Sequence, residues 1–168
     1  PVMRSRSLDT PIGELTLLVS DDGLAHVLFA DQAPADVGLD AEDIEEGSAA
    51  DPVLDATASQ LAEYFDGERR TFDIPLDLGG TEFQREAWTA LADVPYGETR
   101  SYAEQAESIG RPGAFRAVGA ANGRNPVPIV LPCHRIVGAD GSLTGFGGGL
   151  AVKEQLLRHE QSQQQLPI

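Results

Sequence analysis

Apolar positions between residues 8 and 29 fall into two runs around a turn: Thr16-Leu17-Leu18-Val19, then Asp21-Asp22-Gly23, then Leu24 to Phe29. This pattern predicts two strands joined by a tight turn. From 31 to 51 the chain is rich in Ala, Asp, Glu and Gly without a clear period, which predicts a solvated loop with room for one short helix. Pro52 opens helical spacing at Leu54, Ala58, Leu61, Ala62 and Phe65, and Gly67 ends it. Residues 66–80 read as a linker with one extended stretch, Thr71 to Leu78.

The pattern changes at Thr81, a predicted N-cap followed by a helical stripe of Phe83, Ala87, Trp88 and Leu91. Ser101 is the predicted N-cap of a short helix from Tyr102 to Ile109. Gly110-Arg111-Pro112-Gly113 then turns into a second short helix, Ala114 to Asn122, whose residues are mostly small with Arg116 projecting. Two short helices about a glycine-containing turn form a helix-turn-helix pattern. Asn125-Pro126-Val127-Pro128 cannot be helical and predicts an ordered turn into a strand, Ile129-Val130-Leu131, which Pro132 ends. Residues 145–149 form a glycine-rich loop around Phe146, and Leu150 to Glu160 is a final helix.

Charge strengthens the division near residue 80. Residues 1–80 carry 18 acids against 4 Arg, whereas residues 81–168 carry 9 acids against 8 bases, within a total of −15. Residues 100–135 hold five Arg (100, 111, 116, 124 and 135) and two Glu (104 and 107), a local net of +3. The total argues against nucleic acid, but phosphate contacts need a basic face rather than a basic whole. Eleven of the twelve basic residues are Arg and only Lys153 is Lys. That balance, with abundant acids, fits a protein from a high-salt cytoplasm, the halophilic reading.

No apolar stretch is long enough to span a bilayer, and the N-terminus has no targeting pattern, so the expectation is a soluble cytoplasmic monomer without membrane contact. One cysteine excludes an internal disulfide, and His26, His134 and His159 give no ligand spacing, so no metal is expected.

That cysteine, Cys133, lies between Pro132 and His134, with Arg135 next. A thiol attacks as its thiolate, which an adjacent base or positive charge favours. His134 can take the proton directly or through a water, and a third group normally orients such a histidine. Spacing leaves Glu160, Glu154 and Asp140 equally open for that place.

The run Asn125-Pro-Val-Pro-Ile-Val-Leu-Pro-Cys133-His-Arg-Ile-Val, followed by Gly145-Phe146-Gly-Gly-Gly-Leu-Ala-Val-Lys-Glu154-Gln-Leu-Leu-Arg-His-Glu160, resembles the O6-alkylguanine-DNA alkyltransferases. Phe83-Gln84 with Trp88, Pro95-Tyr96-Gly97-Glu98-Thr99, Ser101-Tyr102 and Arg116-Ala117-Val118-Gly119 extend the likeness, as do Thr10-Pro11-Ile12-Gly13 and Tyr64-Phe65-Asp66-Gly67. The resemblance implies an α/β fold: a small N-terminal ribonuclease H-like α/β domain over 1–80, and a mainly helical C-terminal domain over 81–168 with a winged helix-turn-helix.

It also implies direct-reversal DNA repair. The partner would be double-stranded DNA carrying O6-alkylguanine, with O4-alkylthymine a second substrate, and no cofactor beyond the DNA itself. Glu160 would polarise His134, which takes the Cys133 proton through a water, and Cys133 would accept the alkyl group once per chain. Asn125 would brace the neighbouring turn. Arg116 would fill the gap left by the flipped nucleotide, and Tyr102 would hydrogen-bond the base. Ala114, Phe115, Ala117, Gly119, Arg124 and Arg135 complete the expected DNA side. The backbone at Ile136 and Gly147, with Pro128, Phe146 and Gly148 as walls, would hold the guanine.

Phe146 stands where many members have Tyr, and Phe115 where Ala is usual. Some relatives bind zinc through N-terminal cysteines that this chain lacks. A lesion-binding relative without catalysis would not need Cys133. A thiol hydrolase would leave the helix-turn-helix unexplained, and a transcription regulator would not need the thiol.

Overall fold

The computed structural model describes residues 2–48 and 50–165. The chain divides into two compact units, Pro1–Gly79 and Gly80–Ile168.

The first unit is a four-stranded sheet with one helix. Strands β1 (Met3–Thr10), β2 (Gly13–Val19) and β3 (Leu24–Leu28) run antiparallel, and β4 (Ile44–Glu46) joins β1 in parallel, giving the order β3-β2-β1-β4. The two apolar runs are β2 and β3, with Asp21-Asp22-Gly23 in the turn. β1 was not legible: its residues are mostly half-buried and include Arg4 and Arg6, so the strand shows no apolar alternation. Arg4 binds Asp51, the N-cap of helix α1 (Pro52–Phe65), and Arg6 Nη1 lies 2.6 Å from Asp55 Oδ1 in its first turn. These charges tie β1 to the helix while Leu54, Leu61 and Tyr64 bury the helix's apolar stripe.

The expected loop at 31–51 contains two short 3-10 turns as well as β4. The extended stretch near Leu76 makes a single parallel bridge to Leu24. Gly23 allows it, because a Cβ there would stand 2.6 Å from the Pro75 carbonyl oxygen.

The second unit is mainly helical. Thr81 and Ser101 cap α2 (Glu82–Ala90) and α3 (Tyr102–Ser108) in reciprocal capping boxes with Gln84 and Glu104. α4 (Phe115–Asn122) follows the glycine turn, so α3 and α4 form the expected helix pair. Buried polar groups lock it. Trp88 Nε1 donates to the Ala121 carbonyl at 2.6 Å, and Gln105 and Asn122 exchange two amide hydrogen bonds of 3.0 and 2.7 Å. Leaving any of these buried groups unpaired would cost about 1–3 kcal/mol, so the network fixes the angle between the helices.

β5 (Arg100–Ser101) pairs in parallel with β6 (Ile136–Val137), and α5 (Leu150–Gln165) ends the described chain. The pairing is short but decisive: it sets Tyr102, the first residue of α3, beside the segment that follows Cys133.

One predicted element is absent. Ile129-Val130-Leu131 is a turn, not a strand, bridged only between Pro128 and Leu131. Ile129 has a φ of 74°, the one positive value at a non-glycine position among the described residues. For a β-branched residue that conformation costs roughly 1–2 kcal/mol. Asn125 offsets it, its Nδ2 donating to the Leu131 carbonyl at 2.8 Å and its Oδ1 accepting from Val127 N at 3.0 Å. Burial of Val127, Ile129, Val130 and Leu131 holds the turn closed. The apolar run is real, but it marks burial and not extension.

Candidate functional site

Cys133, His134 and Arg135 form a single 3-10 turn between this strained loop and β6. All three are buried, at 6%, 0% and 5% exposure. α5 supplies the other wall. Its buried residues are Lys153, Leu156 and Glu160, spaced i, i+3, i+7 and therefore on one face of the helix. Two of the three are charged, so the face that turns inward is the site.

Glu160 Oε2 accepts from His134 Nε2 at 2.7 Å. Its oxygens also accept from Arg135 Nε at 2.9 Å, from Arg135 Nη2 at 3.1 Å and from the Gly97 amide at 3.3 Å. Burial opposes its ionisation, but the hydrogen bonds and charges of His134 and Arg135 outweigh that and hold the carboxyl below its ordinary range. An ionised carboxylate only accepts, so the imidazole proton sits on Nε2 and Nδ1 carries the lone pair. Nδ1 has no hydrogen-bond partner among the described residues. Burial lowers the His134 pKa below its ordinary value, so the ring is neutral at pH 7, with the Nδ1 lone pair able to accept a proton.

The Cys133 thiol is pushed up to about 11 by burial, against the pull of the Asn125 side chain and the positive charge of Lys153. At rest it is a thiol rather than a thiolate. The site therefore needs a base at the moment of attack, and His134 is built to be one.

Lys153 escaped sequence reasoning. It is 1% exposed, donates from Nζ to the Thr144 carbonyl at 2.7 Å, and lies 6.0 Å from the centroid of the Tyr102 ring. Its signals were that an arginine-rich chain keeps one lysine there and that the lysine lies within the Gly145–Glu160 run that carries the family resemblance. Tyr102 hydrogen-bonds Thr144 Oγ1 at 2.9 Å through its hydroxyl. Thr144 thus ties the loop that carries Phe146, Gly147 and Gly148 to both residues.

The structure decides among the three carboxylates left open for orienting His134. Glu154 is exposed and paired with Arg158 at 2.7 Å, and Asp140 is exposed and accepts from Ser142 N at 3.0 Å. Glu160 alone reaches the ring. Pro128 and Ile136 are buried on either side of Cys133 in sequence.

Arg135 is a correction. Expected on the DNA side, it is buried, with two nitrogens on Glu160, Nη1 on the Val94 carbonyl at 2.7 Å, and its guanidinium over the Tyr96 ring at 5.5 Å. A guanidinium so engaged cannot reach a phosphate.

The remaining expected DNA residues lie on or beside α4. Phe115, Arg116, Ala117 and Arg124 are exposed and Ala114 half-buried. Gly119 faces inward, toward the Tyr102 ring, where a Cβ would make an ordinary van der Waals contact of 3.6 Å. Ala114, at the N-cap, has no side-chain acceptor for the first amides of α4.

A buried thiol, an oriented neutral imidazole and a helix-turn-helix occupy one unit, and comparison with known proteins identifies the combination. The family model for the 6-O-methylguanine DNA methyltransferase DNA-binding domain matches residues 82–162, and that for its ribonuclease-like domain matches residues 3–78. The chain belongs to the methylated-DNA–protein-cysteine methyltransferase family. It is 53% identical to the Mycolicibacterium paratuberculosis methylated-DNA–protein-cysteine methyltransferase, over 92% of this chain and 90% of that one. The Mycobacterium leprae protein of the same name is 49% identical over 96% and 94%. Among solved structures, Mycobacterium tuberculosis OGT in complex with DNA matches with a TM-score of 0.85 and 44% identity, covering 95% of this chain and 94% of that one. No helix among the described residues is long and apolar enough to cross a membrane.

Proposed function

We propose that this methyltransferase repairs duplex DNA by moving the alkyl group of O6-alkylguanine onto Cys133. The observation that carries the reading is the 2.7 Å contact from His134 Nε2 to Glu160 Oε2, which leaves Nδ1 as an unpartnered lone pair on the residue next to Cys133. Membership of the family and the likeness to a relative crystallised with DNA supply the substrate class.

The lesion base would leave the stack, since its alkyl carbon is out of reach of a buried thiol inside a duplex. Arg116 on α4 would take the space it vacates. Tyr102 would exchange its Thr144 partner for the base. The backbone at Ile136 and Gly147 would meet the guanine edge, between Pro128, Phe146 and Gly148. His134 then receives the thiol proton through a water, and sulfur attacks the alkyl carbon in line. The S–C bond forms as the C–O6 bond breaks, leaving an anionic guanine that takes back a proton, equal to the one held by His134, and departs neutral. The same chemistry would serve O4-alkylthymine, whose alkyl carbon is also held by an exocyclic oxygen.

The product is a thioether, which water does not displace at neutral pH, so each chain acts once. With one thiol in the sequence there is no internal means of resetting it. The reading includes a monomer in the cytoplasm, a compartment that keeps an unpaired thiol reduced. Intact-mass measurement after incubation with an O6-methylguanine oligonucleotide tests the reading. A single methyl-sized gain is expected on the wild type and none on Cys133→Ala. No gain on the wild type would overturn it.

A further inference from the structure

Phe115 carries a feature that the transfer mechanism does not use. Among the described residues the exposed large apolar side chains are Val2, Phe115 and Leu150, and Phe115 is the one aromatic, at 45% exposure. A solitary exposed apolar residue is ordinary; its place is what distinguishes this one. It is the first residue of α4, its ring lies 6.0 Å from the Arg116 guanidinium, and it stands within the locally basic stretch of a chain of net charge −15. Its neighbours one turn on, Val118 and Gly119, are buried and half-buried, so on that side no exposed long side chain covers the ring.

The geometry points to Phe115 as a second wedge on the DNA, entering the base step on the far side of the nucleotide that flanks the lesion and packing against its sugar in the minor groove. This rests on the proposed repair of O6-alkylguanine. Consecutive helical residues project about 100° apart, so Phe115 and Arg116 cannot enter the same gap. With Arg116 in the space of the flipped nucleotide, the ring meets its neighbour. The arginine–ring contact narrows the freedom of both side chains before DNA arrives. Apolar side chains inserted at base steps are an established means of prying open a minor groove. In an acidic chain such a contact has a particular use, because it holds DNA without depending on counterion release.

The test compares wild type, Phe115→Ala, Phe115→Trp and Arg124→Ala, using an O6-methylguanine duplex and free O6-benzylguanine base. For Phe115→Ala, duplex affinity falls roughly tenfold at every salt concentration, with the log–log salt slope of the wild type. For Arg124→Ala, the slope becomes shallower by about 0.9. For Phe115→Ala, the loss of alkyl-transfer rate on the duplex exceeds any loss on the free base by about tenfold. A 2-aminopurine beside the lesion brightens less with Phe115→Ala than with wild type, and Phe115→Trp restores both signals. Equal affinity in Phe115→Ala, a changed slope, or equal losses on duplex and free base would overturn the wedge while leaving the repair reading intact. A wild type that takes no alkyl group from either substrate would bring down both.

Discussion

Arg135 holds Glu160 through two nitrogens, Nε at 2.9 Å from Oε1 and Nη2 at 3.1 Å from Oε2, with both residues at 5% exposure or less. The pair makes a buried carboxylate tolerable, and that carboxylate in turn fixes the histidine. Arg135→Met takes the cationic partner away from that carboxylate, and removing one partner of a buried pair costs about 3–5 kcal/mol. The pH dependence has a definite sign. A carboxyl held below its ordinary value contributes stability above that value, and the contribution is lost as pH falls through the depressed one. In Arg135→Met the Glu160 pKa rises, so acid unfolding begins at higher pH. Thermal melts from pH 3 to 8 check this; a parallel drop at every pH would show that packing, not charge, is what Arg135 supplies.

His134 is neutral because it is buried, and its pKa lies below the ordinary 6.5. Single-turnover transfer by the wild type should therefore hold its plateau to a pH below 6.5 before it declines. His134→Gln should lose about 10²–10⁴ in rate near neutrality. Its rate should then climb with pH toward the thiol value of about 11. A flat profile for that variant would remove His134 from proton transfer.

Lys153 supplies a positive charge that favours the Cys133 thiolate. Lys153→Met should raise the thiol pKa further and slow alkylation by iodoacetamide at a fixed pH. The pH profile of that reaction separates charge from packing: a shift along the pH axis indicates charge, and a loss of amplitude alone indicates a disturbed site.

Asn125 bonds to both Leu131 and Val127 across the turn that carries Ile129 at φ 74°. Asn125→Ala leaves the turn's strain without its clamp and should cost about 2–4 kcal/mol, as two lost hydrogen bonds and the strain they offset suggest. Urea unfolding with an unchanged m-value is the measurement; a cost below 0.5 kcal/mol would assign the turn's shape to burial alone.

A net charge of −15 with one lysine predicts self-repulsion that salt relieves. The melting temperature should rise from 0.1 to 2 M KCl. A falling one would end the high-salt reading.

Much of this protein was legible in the chain because its signals are local. Turn chemistry at Asp21-Asp22-Gly23, capping residues at Thr81 and Ser101, and helical spacing around Trp88 all act within a few residues, and each appears where expected. The chemistry of the thiol was legible too, since Cys133 and His134 are adjacent. Other features depend on partners far away in sequence. β1 owes its place to pairing with β2 and to charges on α1, and Ile129-Leu131 is apolar for burial while Asn125 bends it out of a strand. Arg135 reads as a surface cation until Glu160, Val94 and Tyr96 close around it. The i, i+3, i+7 face of α5 holds Lys153 and Glu160, which hydrophobic periodicity counts as solvent-facing. Sequence alone therefore determined β2, β3 and the helices, the candidate nucleophile and the family resemblance. Tertiary structure decided which carboxylate serves the histidine and which cations are buried, because compensated burial of charge is set by distant partners and leaves no local pattern.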